Sequence, residues 1–330
     1  MKENNLLTCS PSPHVKASNT TRRIMVDVCI ALVPACVMGC VLFGLTALLM
    51  ISLSVLSAVV FEFLYLLIAG KKFKEILRQF DFTSCVTGLL IALSIGVNYP
   101  IYSVVFGNAF AIIVVKMLFG GTGNNLVNPA VTGRIFIFIS FQSVVGTWAL
   151  PMISSIFGTT VTTSPTILEG ILTGSLPQLS NWDLLLGTGV AGCIGETCKL
   201  ALIVGGIYLA VRKVINIIYP VIFVAVTGLF TVALNGFNLS FFLPSILSGG
   251  LVLGAIFMAT DYTTTPNTTL GNVIYFIMLG LVTAGLRMAT RMEVVSFAIL
   301  IMNLLVPLFD KWLRPRPFGY KKTKQIKESK

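Results

Sequence analysis

The sequence predicts an all-α polytopic integral membrane protein, and three observations carry that prediction. Of its 330 residues 55% are hydrophobic and only 11% are charged, against roughly 25% charged in a soluble domain. Apolar runs of about 18–25 residues, each able to cross a hydrocarbon core of roughly 30 Å as a helix, recur from Ile24 to Phe309. Lys and Arg gather at the ends of those runs. The net charge of +11 therefore marks span ends. It lacks the basic stripe with interleaved aromatics that a nucleic-acid groove needs, so the expected surrounding is a lipid bilayer and nucleic acid is excluded as a partner.

Residues 1–23, ending in SNTTRR, are polar and carry no apolar core or small-residue cleavage site. They read as a retained N-terminal segment rather than a signal peptide. About ten transmembrane helices of the length a bilayer requires follow at 24–43, 46–69, 82–99, 101–119, 129–149, 184–211, 217–236, 240–259, 271–289 and 292–309. The chain then divides into a first membrane half (24–149), a connecting loop (150–183), a second half (184–309) and a basic tail (310–330).

An even number of spans puts both termini on one side. Lys16, Arg22 and Arg23 precede the first span, KKFKEILR (71–78) follows the second, Arg212 and Lys213 follow the sixth, and the tail holds further Lys and Arg. All lie on one face, which the positive-inside rule makes the cytoplasm of a cell-membrane protein. Loop 150–183 has no Lys or Arg and falls outside; Arg287 and Arg291 are the exceptions on that outer face. The third and eighth spans, GLLIALSIGVNYP (88–100) and GGLVLGAIFMATDYTTTP (249–266), share a Gly-led helix that breaks into a polar, Pro-ended turn. Ten spans then read as two inverted five-helix repeats, which place sites at discontinuous helices.

The single histidine, His14, excludes bis-His haem and His-relay pumps. Cys29, Cys36 and Cys40 fall near one helical face without a CxxC motif, and read as packing residues with no metal site. FGGTGNNLVNPAVTGR (119–134) breaks the helix between spans four and five. Its free N–H groups from Gly121 to Asn125, followed by a helix starting near Pro129, read either as an anion- or ligand-binding concavity or as a plain turn with an Asn cap. Arg134, inside span five, needs a partner, and Asp261 in MATDYTTTPNTTLGN (258–272) is the candidate. In GCIGETCKL (192–200) Glu196 and Lys199 stand one helical turn apart, either as a structural ion pair or as an ion pathway. Asp27 and Glu62, near span ends, read as snorkelling or capping groups.

Taken together, SPHVK (12–16), TTRRIMVDVCIALVPA (20–35), GGTGNNLVNPAVTGR, GCIGETCKLALIVGGIYL, GAIFMATDYTTTP and the LR…E…FAILIMNLLVPLFD pattern (286–310) resemble one family over nearly the whole chain. That family is the RnfD protein of the Rnf complex, with its homologue, the NqrB protein of the sodium-translocating NADH:quinone oxidoreductase. The resemblance implies a membrane fold similar to urea and ammonium channels. It also implies an electron-transfer component of an ion-translocating ferredoxin:NAD+ oxidoreductase, incomplete alone because the chain has no dinucleotide fingerprint. The A, B, C, E and especially G components of that complex would supply the remaining chemistry.

The same resemblance implies covalent FMN, esterified through its phosphate by an external flavin transferase to the last Thr of a [ST]-[GSA]-A-T motif. The matching residues in GTTVTTSPTILE (158–169) are Thr163, Ser164, Pro165 and Thr166. Thr166 becomes the attachment point, although Pro165 replaces the usual Ala and Thr160 the acidic residue often found upstream, so Thr163 or Thr162 stay open. Arg287 and Arg291, with Glu293 beside them, are the expected phosphate partners, Arg287–Glu293 also reading as a simple ion pair. A second, non-covalent riboflavin, as in the quinone-reductase homologue, would sit near Gly121, Asn124, Asn128, Arg134 and Asp261, with Na+ or H+ passing Glu196 and Lys199. The alternatives are the quinone-reductase component itself and a small-solute channel or secondary transporter without flavin.

Overall fold

The computed structural model describes residues 20–145, 148–151, 163–164, 167–172, 174 and 180–313. The first helix, α1 (Thr21–Ile68), is 48 residues long, about 72 Å at 1.5 Å per residue and more than twice the roughly 30 Å of a hydrocarbon core. Its backbone leaves helical geometry at Gly44, with φ 70° and ψ −152°, a conformation that a Cβ would oppose. The first two expected spans are thus joined by a one-residue kink rather than a loop.

A short helix α2 (Phe73–Gln79) leads at a 70° bend into α3 (Thr83–Leu93). α4 (Tyr102–Ala109) runs on as a π-helix, Phe110–Met117, and α5 spans Pro129–Ser140. Asn128 caps α5, its side chain accepting from the amides of Ala130 and Val131, and Pro129 occupies the first helical position where no N–H is required. Strand β1 (Trp148–Ala149) pairs antiparallel with β2 (Thr163–Ser164), Trp148 opposite Ser164. After β2 come α6 (Ile167–Leu172), α7 (Asn181–Leu186), α8 (Lys199–Val211) and α9 (Ile218–Leu234). α10 (Phe242–Leu247) meets α11 (Leu251–Leu253), which continues as a π-helix, Gly254–Met258, and the element from Leu239 to Met258 bends by 68°. α12 (Thr269–Thr290) and α13 (Val295–Trp312) close the chain.

α1, α12 and α13 are each long and apolar enough to cross a membrane, and so are the two bent elements when each is taken as one span. Rows of large apolar side chains on α1, including Val33, Val37, Val41 and Leu56, are exposed, as expected of a surface solvated by lipid rather than water. Small residues let the helices approach: Gly88 of α3 lies on the backbone of Ser54 and Val55 of α1, and Gly205 of α8 on the carbonyl of Ala31.

Four expected spans differ from continuous helices. Residues 184–211 are interrupted: α7 ends at Gly187 in the left-handed region, φ 82°, and residues 187–198 are irregular before α8 begins. The third span stops at Leu93, the fifth at Ser140, and the eighth breaks at residues 248–250. Two of the breaks complement each other. Ile194 N–H donates to the carbonyl of Ile95 at 3.1 Å and Gly195 N–H to that of Leu93 at 2.8 Å. Irregular backbone is thereby paired inside the bundle, the condition for tolerating it at membrane depth.

Candidate cofactor and ion-handling sites

The breaks gather charge at both ends of the bundle. At the end holding β1, β2 and α6, Arg134 of α5 meets Glu196 at 3.0 Å, with both side chains buried. Lys199, at the first turn of α8, donates to the backbone carbonyl of Glu196. Arg287, in the last turn of α12 and 1% exposed, pairs with Glu293, its Nη2 lying 3.2 and 3.0 Å from Oε1 and Oε2. It also donates to the carbonyls of Ser245 and Ser248 at the break after α10.

The two carboxylates converge on Gly249 and Gly250: a Cβ on Gly249 would collide with Glu293 and one on Gly250 with Glu196. Glycine is required there so that the carboxylates can lie against backbone. Glu196 and Glu293 then line a cleft of about 20 Å³ with Ser248, Trp148, Ile167 and Leu168. Ile167 and Leu168 begin the helix after Thr166, and Trp148 pairs with Ser164 just before it. Thr166 and Pro165 lie outside the described residues, as do the side chains of Thr163 and Ser164. Arg291, four residues beyond Arg287, is exposed and terminates α12 with φ 55°.

At the opposite end, a cavity of about 100 Å³ opens between α1, α3, α5, α8 and the π-helix Gly254–Met258. Its walls are apolar at Met25, Val86, Leu90, Leu209, Ile256 and Phe257, and polar at Thr83, Lys116, Asn125, Asn128 and Asp261. Asn128 spans the two halves, capping α5 with its Oδ1 while its Nδ2 donates to Met258 O at 3.1 Å. The oxygen of Asn125 is buried with no hydrogen-bond partner among the described residues. Asp261 accepts from the Thr263 amide at 3.3 Å and hydroxyl at 2.9 Å. Burial raises its carboxyl above the usual range, and the Thr263 hydrogen bonds offset only part of that.

The match to known proteins runs the length of the chain. Residues 8–319 match the NQR2, RnfD, RnfE family. The chain belongs to that family. The D component of the Na(+)-translocating ferredoxin:NAD(+) oxidoreductase complex of Acetobacterium woodii is 37% identical, covering 97% of each chain. The D component of the proton-translocating ferredoxin:NAD(+) oxidoreductase complex of Clostridium ljungdahlii is 35% identical over 96% of this chain and 97% of its own. That of the ion-translocating oxidoreductase complex of Stutzerimonas stutzeri is 32% identical over 93% and 97%.

In this NQR2, RnfD, RnfE family chain, several pairings differ from those read in the sequence. Arg134 pairs with Glu196 rather than Asp261, because its helix runs away from the Asn128 cap toward the other end of the bundle. Glu196 and Lys199 are not one turn apart on a helix, since α8 begins only at Lys199. Asp27 and Glu62 are neither snorkelling nor capping. Asp27 is buried against Arg212 at 3.1 Å and Tyr208, and Glu62 against Lys116 at 2.6 Å. Among the second-flavin candidates the cavity brings together Asn128 and Asp261, but Arg134, Gly121 and Asn124 do not line it. Sequence reasoning misses Lys116. Its signal lies in the string FAIIVVKM: an ammonium inside an apolar span calls for a partner.

Proposed function

We propose that this chain is the D component of an ion-translocating ferredoxin:NAD+ oxidoreductase and passes electrons through flavin bound within the membrane. The observation that carries this reading is likeness over nearly the whole chain to relatives named as that component, including the segments that build both sites. NAD and ferredoxin are then handled by the other members of the complex. The relatives at 37% and 35% identity are named for sodium and for protons respectively, so likeness does not select the ion.

FMN is joined as a phosphoester to Thr166, which the flavin transferase reaches from outside the cell membrane. Support comes from the elements on either side of Thr166, which border the cleft that leads to Glu196 and Glu293. The residues fit this with one revision: Arg287 stands behind Glu293, so Arg291, which is exposed, meets the phosphate and Arg287 holds the cleft wall. A second flavin, riboflavin, occupies the cavity at the other end. Apolar walls with a few convergent polar groups suit a heterocycle, and the Asn125 oxygen, unpartnered among the described residues, offers it an acceptor. Flavin chemistry there is the cofactor's own, and the chain supplies position and charge.

The chain crosses the membrane ten times, in two inverted halves of five. Counting α1 twice about Gly44, the third member of each half is a bent element, with bends of 70° and 68°, which supports the repeat. Lys and Arg at the end holding the start of α1 support a cytoplasmic position for both termini. Glu196, tied to Arg134 between the halves, is the carboxylate of the ion path. Intact-mass measurement of the purified chain tests the reading: a mass above 35.6 kDa by one esterified FMN is expected. An unmodified mass, with no flavin fluorescence after denaturation, overturns it.

A further inference from the structure

We infer that Lys116 is the counter-charge of the 100 Å³ cavity, aimed at its occupant and tuned by Glu62 behind it. This rests on the reading that a redox-active heterocycle occupies the cavity.

Lys116 closes the π-helix Phe110–Met117, is 1% exposed and lines the cavity wall. Its Nζ donates to Glu62 Oε1 at 2.6 Å and Thr83 Oγ1 at 2.5 Å. Two of the three ammonium protons are thereby used. Thr83 is in turn fixed by Asp81, whose Oδ1 accepts the Thr83 hydroxyl at 2.6 Å, and Asp81 Oδ2 accepts from Thr122 at 2.8 Å. The ammonium is held by Glu62 and by Thr83, itself on the cavity wall, and its third proton has no acceptor among the described residues.

A purely structural buried pair repays desolvation only when the remaining lone pairs and protons are also satisfied. This one is not: Glu62 Oε2 is buried without a hydrogen-bond partner among the described residues. The comparison within the molecule is direct. Arg287 is also 1% exposed, in the last turn of α12, paired with a carboxylate and seated on the break of a bent element. Its Nη2 reaches both oxygens of Glu293 and its Nη1 the carbonyl of Ser245, with Nε alone lacking a partner among the described residues. Lys116 engages one oxygen of Glu62 and faces a cavity. A single ammonium on a flexible stem suits a charge that answers a ligand rather than a fixed fork.

An occupant that gains an electron gains negative charge, and in a low-dielectric site a nearby ammonium stabilises that form while a carboxylate opposes it. Lys116 therefore raises the occupant's reduction potential and Glu62 moderates the effect. No bond is made or broken. The electron comes from the oxidoreductase complex, and Lys116 keeps its proton, turning its third N–H to the ligand.

The test uses the intact purified complex. Non-covalent flavin is extracted with acid and counted, and its one-electron couple is titrated optically in the wild type, Lys116→Gln, Lys116→Arg and Glu62→Gln. Lys116→Gln should shift the equilibrium toward the oxidised form by about tenfold, or about 59 mV for one electron. Glu62→Gln should shift it the opposite way, and Lys116→Arg should stay near wild type. Opposite signs are what a merely structural pair would not give. If Lys116→Gln fails to assemble, Glu62→Gln and Lys116→Arg still decide the sign. Unchanged potentials with flavin present overturn the inference alone. Ala130, buried on the cavity wall, separates the two readings: Ala130→Trp fills the cavity, and an unchanged flavin count in that variant overturns the occupant and the inference together.

Discussion

Arg134 of α5 and Glu196 of the irregular segment before α8 meet at 3.0 Å with both side chains buried, tying the two halves of the chain together at a break in the helical backbone. Removing one member of such a pair leaves an uncompensated charge and costs about 3–5 kcal/mol, whereas replacing both with apolar residues is close to neutral. Arg134→Met should therefore lower the thermal midpoint of the purified chain in detergent, and Arg134→Met/Glu196→Met should recover most of the loss. Glu196→Gln is the functional case: flavin content should persist while ion uptake per electron falls. Full coupling in Glu196→Gln would make the pair structural only.

Thr166 should carry the covalent flavin. A phosphoester survives denaturing electrophoresis, so the wild-type band should fluoresce, Thr166→Ala should lose the signal and Thr163→Ala should keep it. The opposite pattern would move the attachment site three residues upstream.

Arg287 and Arg291 should behave differently despite lying one turn apart. Arg287→Ala strands Glu293 and two carbonyls in the interior, a loss of about 3–5 kcal/mol, and Arg287→Lys should only partly restore stability because one ammonium cannot match the rigid pair of nitrogens set on Ser245 and Glu293. Arg291→Ala, at an exposed helix end, should leave stability nearly unchanged and reduce flavin incorporation. Equal effects of the two alanine variants on the melting temperature would contradict the assignment.

Loop 150–183 should be outside. On a background with the native cysteines replaced, Ser175→Cys should react with a membrane-impermeant thiol reagent in intact cells. Lys74→Cys, exposed at the start of α2, should react only after permeabilisation. Reversed labelling would overturn the orientation and, with it, access of the flavin transferase to Thr166.

The sequence by itself determined the class of the molecule. Apolar runs of bilayer length leave a chain little choice but to cross lipid as helix, because backbone groups there must pair internally. Local chemistry was legible for the same reason: Asn128 before Pro129 capped α5 as a short-range rule requires, and FGGTGNN broke the helix where it was expected to. The tertiary structure alone decided which charges meet. Hydropathy reads a span as continuous whether or not its middle is helical, so the irregular segment 187–198 was invisible. Its Ile194 and Gly195 amides donate to Ile95 and Leu93, residues about a hundred positions away. With that helix broken, helical spacing no longer governed Glu196, which turned from Lys199 toward Arg134, while Lys116 found Glu62 across the bundle. A buried charge announces in sequence that it needs a partner; which partner it takes depends on long-range packing that no local spacing encodes.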